Sequence, residues 1–204
     1  MIRQLKEEGW LRTPRVIRAF ERVDRGDFVP RRYRDAAYVD EPLPIGEGQT
    51  ISAPSMVAVM TELLEPGPGD RVLEIGAGSG YQSAILSLLV KKVYAIELET
   101  LLVAQASERL KKVGCNNVEI IVGDGSKGHA EKAPYDKTIM ACAAEEVPAA
   151  LKEQLKAGGI LIAPVGGPFM QILTTLKKTG KNRFEEKQHM RCSFVPLRRS
   201  PRGR

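Results

Sequence analysis

The stretch Val72-Leu73-Glu74-Ile75-Gly76-Ala77-Gly78-Ser79-Gly80-Tyr81 joins an apolar run to a glycine cluster and then opens an apolar-periodic segment. This reads as a strand, a tight turn and a helix start, the junction at which an open α/β sheet binds a nucleotide-like ligand. A dinucleotide fingerprint needs its third glycine three positions after the second, where the chain has Tyr81, and no Gly-Lys-Ser/Thr follows to make a P-loop. The glycines let the backbone approach a ligand closely. Glu74 sets a carboxylate just before the turn, which repels a pyrophosphate and attracts an ammonium or sulfonium. The ligand read from this loop carries positive charge.

Downstream, short apolar runs alternate with helical stretches. Residues 71–75, 93–96, 118–122, 137–141 and 160–165 read as strands, separated by helices near 80–90, 99–113 and 147–156. Such alternation predicts a parallel sheet with helices on both faces. Glu97 ends the strand after the glycine loop, where an acidic side chain accepts hydrogen bonds from both hydroxyls of a ribose, and Asp124-Gly125 ends the next. Glu74, Glu97 and Asp124 thus form a row that suits S-adenosylmethionine. The amino acid and sulfonium would sit near the glycine loop, the ribose at Glu97 and the adenine amino group at Asp124. After Gly166-Gly167 the chain reads as strands alone, 171–177, 184–190 and 192–197, an antiparallel edge on the parallel sheet.

Upstream, the first thirty residues read as short helices. Thr13 is an N-cap with Pro14 at the first helical position, and Val16, Ile17, Phe20 and Val23 recur at helical spacing until Asp24-Arg25-Gly26 stops them. Pro30, Pro42, Pro44, Gly46 and Gly48 forbid any long element across 30–53. A loop of that length is uncommon unless functional. A helix then starts at Pro54, with Met56, Val59, Met60 and Leu63 on one face as core.

Composition narrows the class. The chain has 204 residues, 43% hydrophobic and 27% charged, which fits one globular core and not a disordered chain. Its net charge of +6 is unevenly spread: residues 1–34 carry ten Lys/Arg against five Asp/Glu, residues 177–204 ten against two, and the middle eleven against eighteen. Basic residues at the ends, away from the predicted cleft, argue against a dedicated nucleic-acid site. No apolar run is long enough to span a membrane, and the N-terminus lacks a secretory h-region. Cys115, Cys142 and Cys192 are odd in number without Cys-x-x-Cys spacing, and His129 and His189 do not group with other ligands, so neither disulfides nor a metal are expected. Cys142 reads as a small core residue. The expectation is a cytoplasmic monomer.

The chain resembles the protein-L-isoaspartate O-methyltransferases, which methylate the abnormal isoaspartyl carboxylate of damaged proteins. The resemblance runs through Asp27-Phe28-Val29-Pro30, Tyr38-Val39-Asp40-Glu41-Pro42-Leu43-Pro44-Ile45-Gly46, Gly48-Gln49-Thr50-Ile51-Ser52-Ala53-Pro54, the glycine loop with Tyr81-Gln82, Gly123-Asp124-Gly125, Leu155-Lys156-Ala157-Gly158-Gly159 and Phe194-Val195-Pro196-Leu197. The glycine loop alone indicates the wider S-adenosylmethionine-dependent class; Gly48 to Pro54 carries the family. What the resemblance implies is a doubly wound, Rossmann-like α/β methyltransferase fold with an N-terminal helical annex and an antiparallel C-terminal edge. Residues 1–53 would hold the annex and substrate loop, 54–197 the cofactor-binding core, and 198–204 a basic flexible tail. Ser52 would be the active-site serine, with Thr50, Ile51 and Ala53 beside it on the substrate. Thr50, Ile51, Glu74, Gly76, Ala77, Gly78, Ser79, Gly80, Glu97, Leu98, Asp124 and Gly125 would hold S-adenosylmethionine, leaving S-adenosylhomocysteine as product. The position after Pro54, often His or Tyr in relatives, is Ser55 here.

The expected chemistry needs neither a metal nor a strong base. A carboxylate with a pKa of ~4 is already ionised at neutral pH, so it needs positioning against the sulfonium methyl and not deprotonation. Charge is neutralised as the two meet, which a poorly hydrated cleft favours. By the same resemblance, the methyl ester then cyclises to a succinimide and hydrolyses, returning part of the damage to aspartate. Two rivals stand beside this reading, an RNA methyltransferase and a noncatalytic binding module. Ala141-Cys142-Ala143-Ala144-Glu145-Glu146 lacks the Asn/Asp-Pro-Pro-aromatic motif of amino-directed base methyltransferases, and the intact Thr50-Ile51-Ser52 cluster argues against the second.

Overall fold

In the computed structural model, which describes residues 1–200, the N-terminal segment forms α1 (Ile2–Glu7) and α2 (Pro14–Arg22), followed by short 3-10 turns at Arg25–Phe28 and Arg31–Ala36. Thr13 holds the N-cap position with Pro14 beginning the helix, as the spacing predicts, yet its hydroxyl donates to Glu62 Oε2 at 2.6 Å. Glu62 Oε1 also accepts the amides of Arg12 and Thr13, at 2.8 Å each. One buried carboxylate thus fastens the annex to the core, together with Leu5, Val16, Phe20 and Phe28, all at most 2% exposed.

The breaker-rich stretch is more ordered than expected. It holds an antiparallel hairpin, β1 (Leu43–Gly46) and β2 (Gln49–Ile51), whose inward residues Leu43, Ile45 and Ile51 are buried. Pro44 is tolerated there because a two-stranded sheet is all edge. Then come α3 (Pro54–Leu64), β3 (Arg71–Ile75), α4 (Tyr81–Ser87), β4 (Lys92–Glu97), α5 (Thr100–Lys112), β5 (Val118–Val122), β6 (Tyr135–Met140), α6 (Ala149–Glu153), β7 (Leu155–Gly166), β8 (Gln171–Gly180) and β9 (Arg183–Cys192).

These strands form one sheet of order β5-β4-β3-β6-β7-β8-β9, parallel from β5 to β7 and antiparallel at β8 and β9. This is a doubly wound sheet with an appended antiparallel edge. At its centre Val72, Leu73, Glu74 and Ile75 are at most 1% exposed, which is why β3 reads as a continuous apolar run. The order of connection reverses between β3 and β6, and ligands of such sheets bind at the carboxyl ends of the strands beside that reversal.

Two element expectations are corrected. The helix expected over 147–156 is limited to Ala149–Glu153, because β7 already begins at Leu155, opposite Tyr135. The strand expected over 192–197 does not form, since β9 ends at Cys192 and Pro196 has no N–H for a ladder. Instead Val195 O accepts the Ala143 amide at 2.8 Å and the Leu197 amide donates back to Ala143 O at 2.7 Å. Those bonds draw the segment off the sheet edge and across the strand ends. Beyond it, Arg198 Nη1 lies 2.7 Å from Glu99 Oε1, and the Ser200 amide donates to Asp124 Oδ2 at 3.3 Å. Of the stretch expected to be a flexible tail, 198–200 therefore lies over the crevice, and 201–204 falls outside the described residues.

Candidate active site

The turn after β3 takes its shape from its glycines and a neighbouring carboxylate. Gly76 and Gly78 have φ of 85° and 53°, in the left-handed region that a side chain disfavours. Glu97, ending β4, accepts the Gly78 amide through Oε2 at 2.9 Å and the Leu98 and Glu99 amides through Oε1 at 2.7 and 3.0 Å. Each carboxylate oxygen offers about two lone pairs. Oε1 is therefore filled and Oε2 retains one acceptor position, fewer than a pair of ribose hydroxyls would take. Much of Glu97's capacity goes into holding the loop.

Glu74 is fully buried and directs Oε2 to the Ser83 hydroxyl of α4, while Oε1 has no protein partner. Burial pushes its carboxyl up to about 8, against the lowering effect of the Ser83 bond. A buried acceptor without a donor is costly unless a ligand supplies one. An ammonium placed beside Glu74 would supply that donor and restore the carboxylate, and a sulfonium nearby would add favourable charge.

Two adjoining hollows flank the turn and share Thr50, Gly76, Gly78 and Ala141. One, of about 550 Å³, is bounded by Glu97, Leu98, Glu99, Gly125, Cys142 and the segment Val195 to Arg198. The other, of about 430 Å³, is bounded by Ile51, Ser52, Glu74, Ala77, Ser79, Tyr81 and Gln82. Asp124 stands beside the first hollow. Its Oδ1 accepts the Ser126 amide at 2.9 Å and the Ser126 hydroxyl at 2.7 Å. Partial burial acts to raise its carboxyl, but these bonds, with the Ser200 amide and Lys127, hold it below its ordinary value. Gly125 packs so close that a Cβ there would stand 2.4 Å from Ile75 Cγ2.

The fold therefore gathers most of the residues singled out in the sequence. Thr50, Ile51, Ser52, Glu74, Gly76, Ala77, Gly78, Ser79, Glu97, Leu98 and Gly125 all line the hollows, while Ala53, Gly80 and Asp124 do not. Gly80 instead caps the N-terminus of α4 and packs against Ala106 and Leu110 of α5. Sequence reasoning missed Gln49, Glu99, Cys142 and Arg198 as walls. For Val195 to Leu197 the resemblance was the one signal; for the Arg198–Glu99 pair there was none. Cys142 is 6% exposed and burial pushes its thiol up to about 12, so it walls the hollow as an unionised group. His189 meets Thr175 at 2.9 Å on the β8–β9 hairpin and His129 packs on Tyr94; neither lines a hollow beside the glycine turn. Among the described residues no group of His, Cys, Asp and Glu could hold a metal ion. No described helix is long and apolar enough to cross a membrane.

Sheet order, glycine turn and acidic strand ends together define the Rossmann-like fold of the S-adenosylmethionine-dependent methyltransferases. A precorrin-6y C5,15-methyltransferase from Geobacter metallireducens shares that fold alone, with a TM-score of 0.54 at 19% identity over 74% of this chain and 90% of that one. The chain belongs to the protein-L-isoaspartate(D-aspartate) O-methyltransferase family, whose model matches residues 1–201. It is 48% identical to the protein-L-isoaspartate O-methyltransferase of Methanopyrus kandleri, over 97% of this chain and 89% of the relative. A Plasmodium falciparum protein assigned to the same activity and crystallised with S-adenosyl-L-homocysteine has a TM-score of 0.86 at 26% identity, covering 98% of this chain and 97% of that one.

Proposed function

We propose that the protein transfers the methyl group of S-adenosylmethionine to the free carboxylate of L-isoaspartyl residues in damaged proteins and peptides. The products are a methyl ester and S-adenosylhomocysteine. The observation that carries this reading is the unpartnered Glu74 Oε1, buried in the wall of the same hollow that Ser52 lines. A cation-seeking carboxylate and a carboxylate-orienting hydroxyl then face one small space, as methyl transfer from a sulfonium to an acid requires.

When bound, S-adenosylmethionine supplies an electrophilic methyl group on a cationic sulfur. Glu74 receives its ammonium, and Gly76, Ala77, Gly78 and Ser79 bring the backbone close. Glu97, Leu98 and Asp124 serve the nucleoside end, with Gly125 leaving room. Thr50 and Ile51 stand between cofactor and peptide. Ser52 and the Ala53 backbone orient the substrate carboxylate, which is already ionised at neutral pH and needs no base. Val195, Pro196 and Leu197 wall one side of the hollow, and water displaced there by a bound cofactor would favour a step in which opposite charges cancel. We read the enzyme as a cytoplasmic monomer acting on isoaspartyl peptides, with no metal and no dedicated nucleic-acid partner.

Radiolabelled methyl transfer to an isoaspartyl peptide, its normal aspartyl twin and bulk RNA tests the reading. Base-labile label is expected on the isoaspartyl peptide alone. Equal labelling of the aspartyl twin, or preference for RNA, overturns it.

A further inference from the structure

Arg25, which the sequence presents as part of a helix stop, is completely buried. Its guanidinium donates to three backbone carbonyls: Nη1 to Ala37, and Nη2 to Glu41 at 3.0 Å and to Ser52 at 3.1 Å. Among the described residues no carboxylate forms an ion pair with it. Burial holds the guanidinium below its ordinary pKa, a cost that Tyr81 and Asp40 partly offset. Tyr81 opens α4 at the end of the glycine turn, and its ring packs on Phe28 at 5.6 Å.

A buried unpaired charge is a poor device for stability, since an apolar side chain of like volume often does as well or better. The planar fork offers something else, several donors in fixed relative directions. Here they reach two separate segments, the connection from Ala37 to Glu41 and the one that contains Ser52. We propose that Arg25 is a positioning residue for methyl transfer: by clamping the Ser52 carbonyl to those of Ala37 and Glu41, it fixes the backbone angle that aims Ser52 into the hollow. The same clamp joins the annex to the hairpin loop, so substrate-side geometry depends on a residue far from the cofactor turn in sequence.

This proposal rests on the role read for Ser52, and its test separates the two. Arg25→Met, Arg25→Lys, Ser52→Ala and the Met/Ala double variant would be compared below the melting temperature of the weakest. Lysine keeps the charge but has one nitrogen in place of the fork. In both Arg25 variants the affinity for S-adenosylhomocysteine is expected to stay within about threefold of wild type, while kcat on the isoaspartyl peptide falls ~10- to 100-fold. Ser52→Ala should then cost less in the Arg25→Met background than alone, because both changes remove one alignment. If Arg25→Met fails to fold, Arg25→Lys and its double variant with Ser52→Ala carry the comparison. Unchanged kcat in a folded Arg25 variant, effects that multiply in full, or cofactor affinity that falls in step with kcat overturns the proposal. An inactive wild-type enzyme overturns the functional reading instead.

Discussion

Glu97 Oε2 lies 2.9 Å from the Gly78 amide, so the last side chain of β4 fixes the turn that follows β3. The same carboxylate caps the Leu98 and Glu99 amides. Its loss leaves several donors without an acceptor and loosens the turn at once.

Glu97→Ala is therefore expected to weaken S-adenosylmethionine binding by about 1.5–3 kcal/mol, the usual worth of charge-assisted hydrogen bonds. Glu97→Gln, which keeps a carbonyl acceptor, should lose less. Unchanged calorimetric affinity in a folded alanine variant would contradict the placement.

With the cofactor placed as proposed, Glu74 is expected to make its binding a proton-releasing event. Its carboxyl sits at about 8 in the folded protein against 4.5 as the ordinary value. A raised folded-state pKa means that this group's stabilising effect is fully present below pH 4.5 and is lost as pH rises through about 8. An ammonium beside Glu74 reverses that preference. Binding near pH 7 should then release up to about one proton, read from calorimetric heats in buffers of different ionisation enthalpy. Glu74→Gln should abolish the buffer dependence; identical heats for the wild type in all buffers would refute it.

Ser52 is expected to act through alignment and not as a nucleophile, for neither histidine lies at the hollow it lines to activate it. Ser52→Ala should keep fold and cofactor affinity while methyl transfer falls ~100-fold, the scale of a small misplacement of reacting atoms. Ser52→Thr should be partly active. Full activity in the alanine variant, or a methylated Ser52 able to pass its methyl to peptide, would show the role to be wrong.

Gly125→Ala tests the close approach of the crevice floor to β3. The added carbon would meet Ile75 Cγ2 at 2.4 Å, and Ile75 is 1% exposed with little room to yield. Overpacking of this kind costs about 1–3 kcal/mol, which urea unfolding would register. A variant as stable as the wild type would mean that Ile75 relaxes freely.

Legibility followed the range of the interactions. Val72 to Ile75 could be read as a strand because a central parallel strand buries both faces, and the adjoining glycines needed no tertiary knowledge to mark a turn. Cys192 to Leu197 reads as a strand in the sequence, but past Cys192 its apolar character reflects packing across strand ends, dictated by Ala143 some fifty residues earlier. The hairpin Leu43 to Ile51 hid behind Pro44, Gly46 and Gly48. Glu74, Glu97 and Asp124 could be placed by their positions at strand ends, but their partners could not, since Ser83, Gly78 and Ser200 are chosen by the folded geometry. Arg25 gave no hint that it reaches Ser52.

The walls of the larger hollow come from Gln49 and Thr50 at one extreme and from Val195 to Arg198 at the other. A chain cut after β9 would still contain every strand of the sheet, the glycine turn and the hairpin, yet would lack the Val195 to Arg198 side of that hollow. Completion of the site thus waits on the segment that follows β9. A stalled or clipped translation product lacking that stretch would be expected to fold its core and still remain silent as an enzyme.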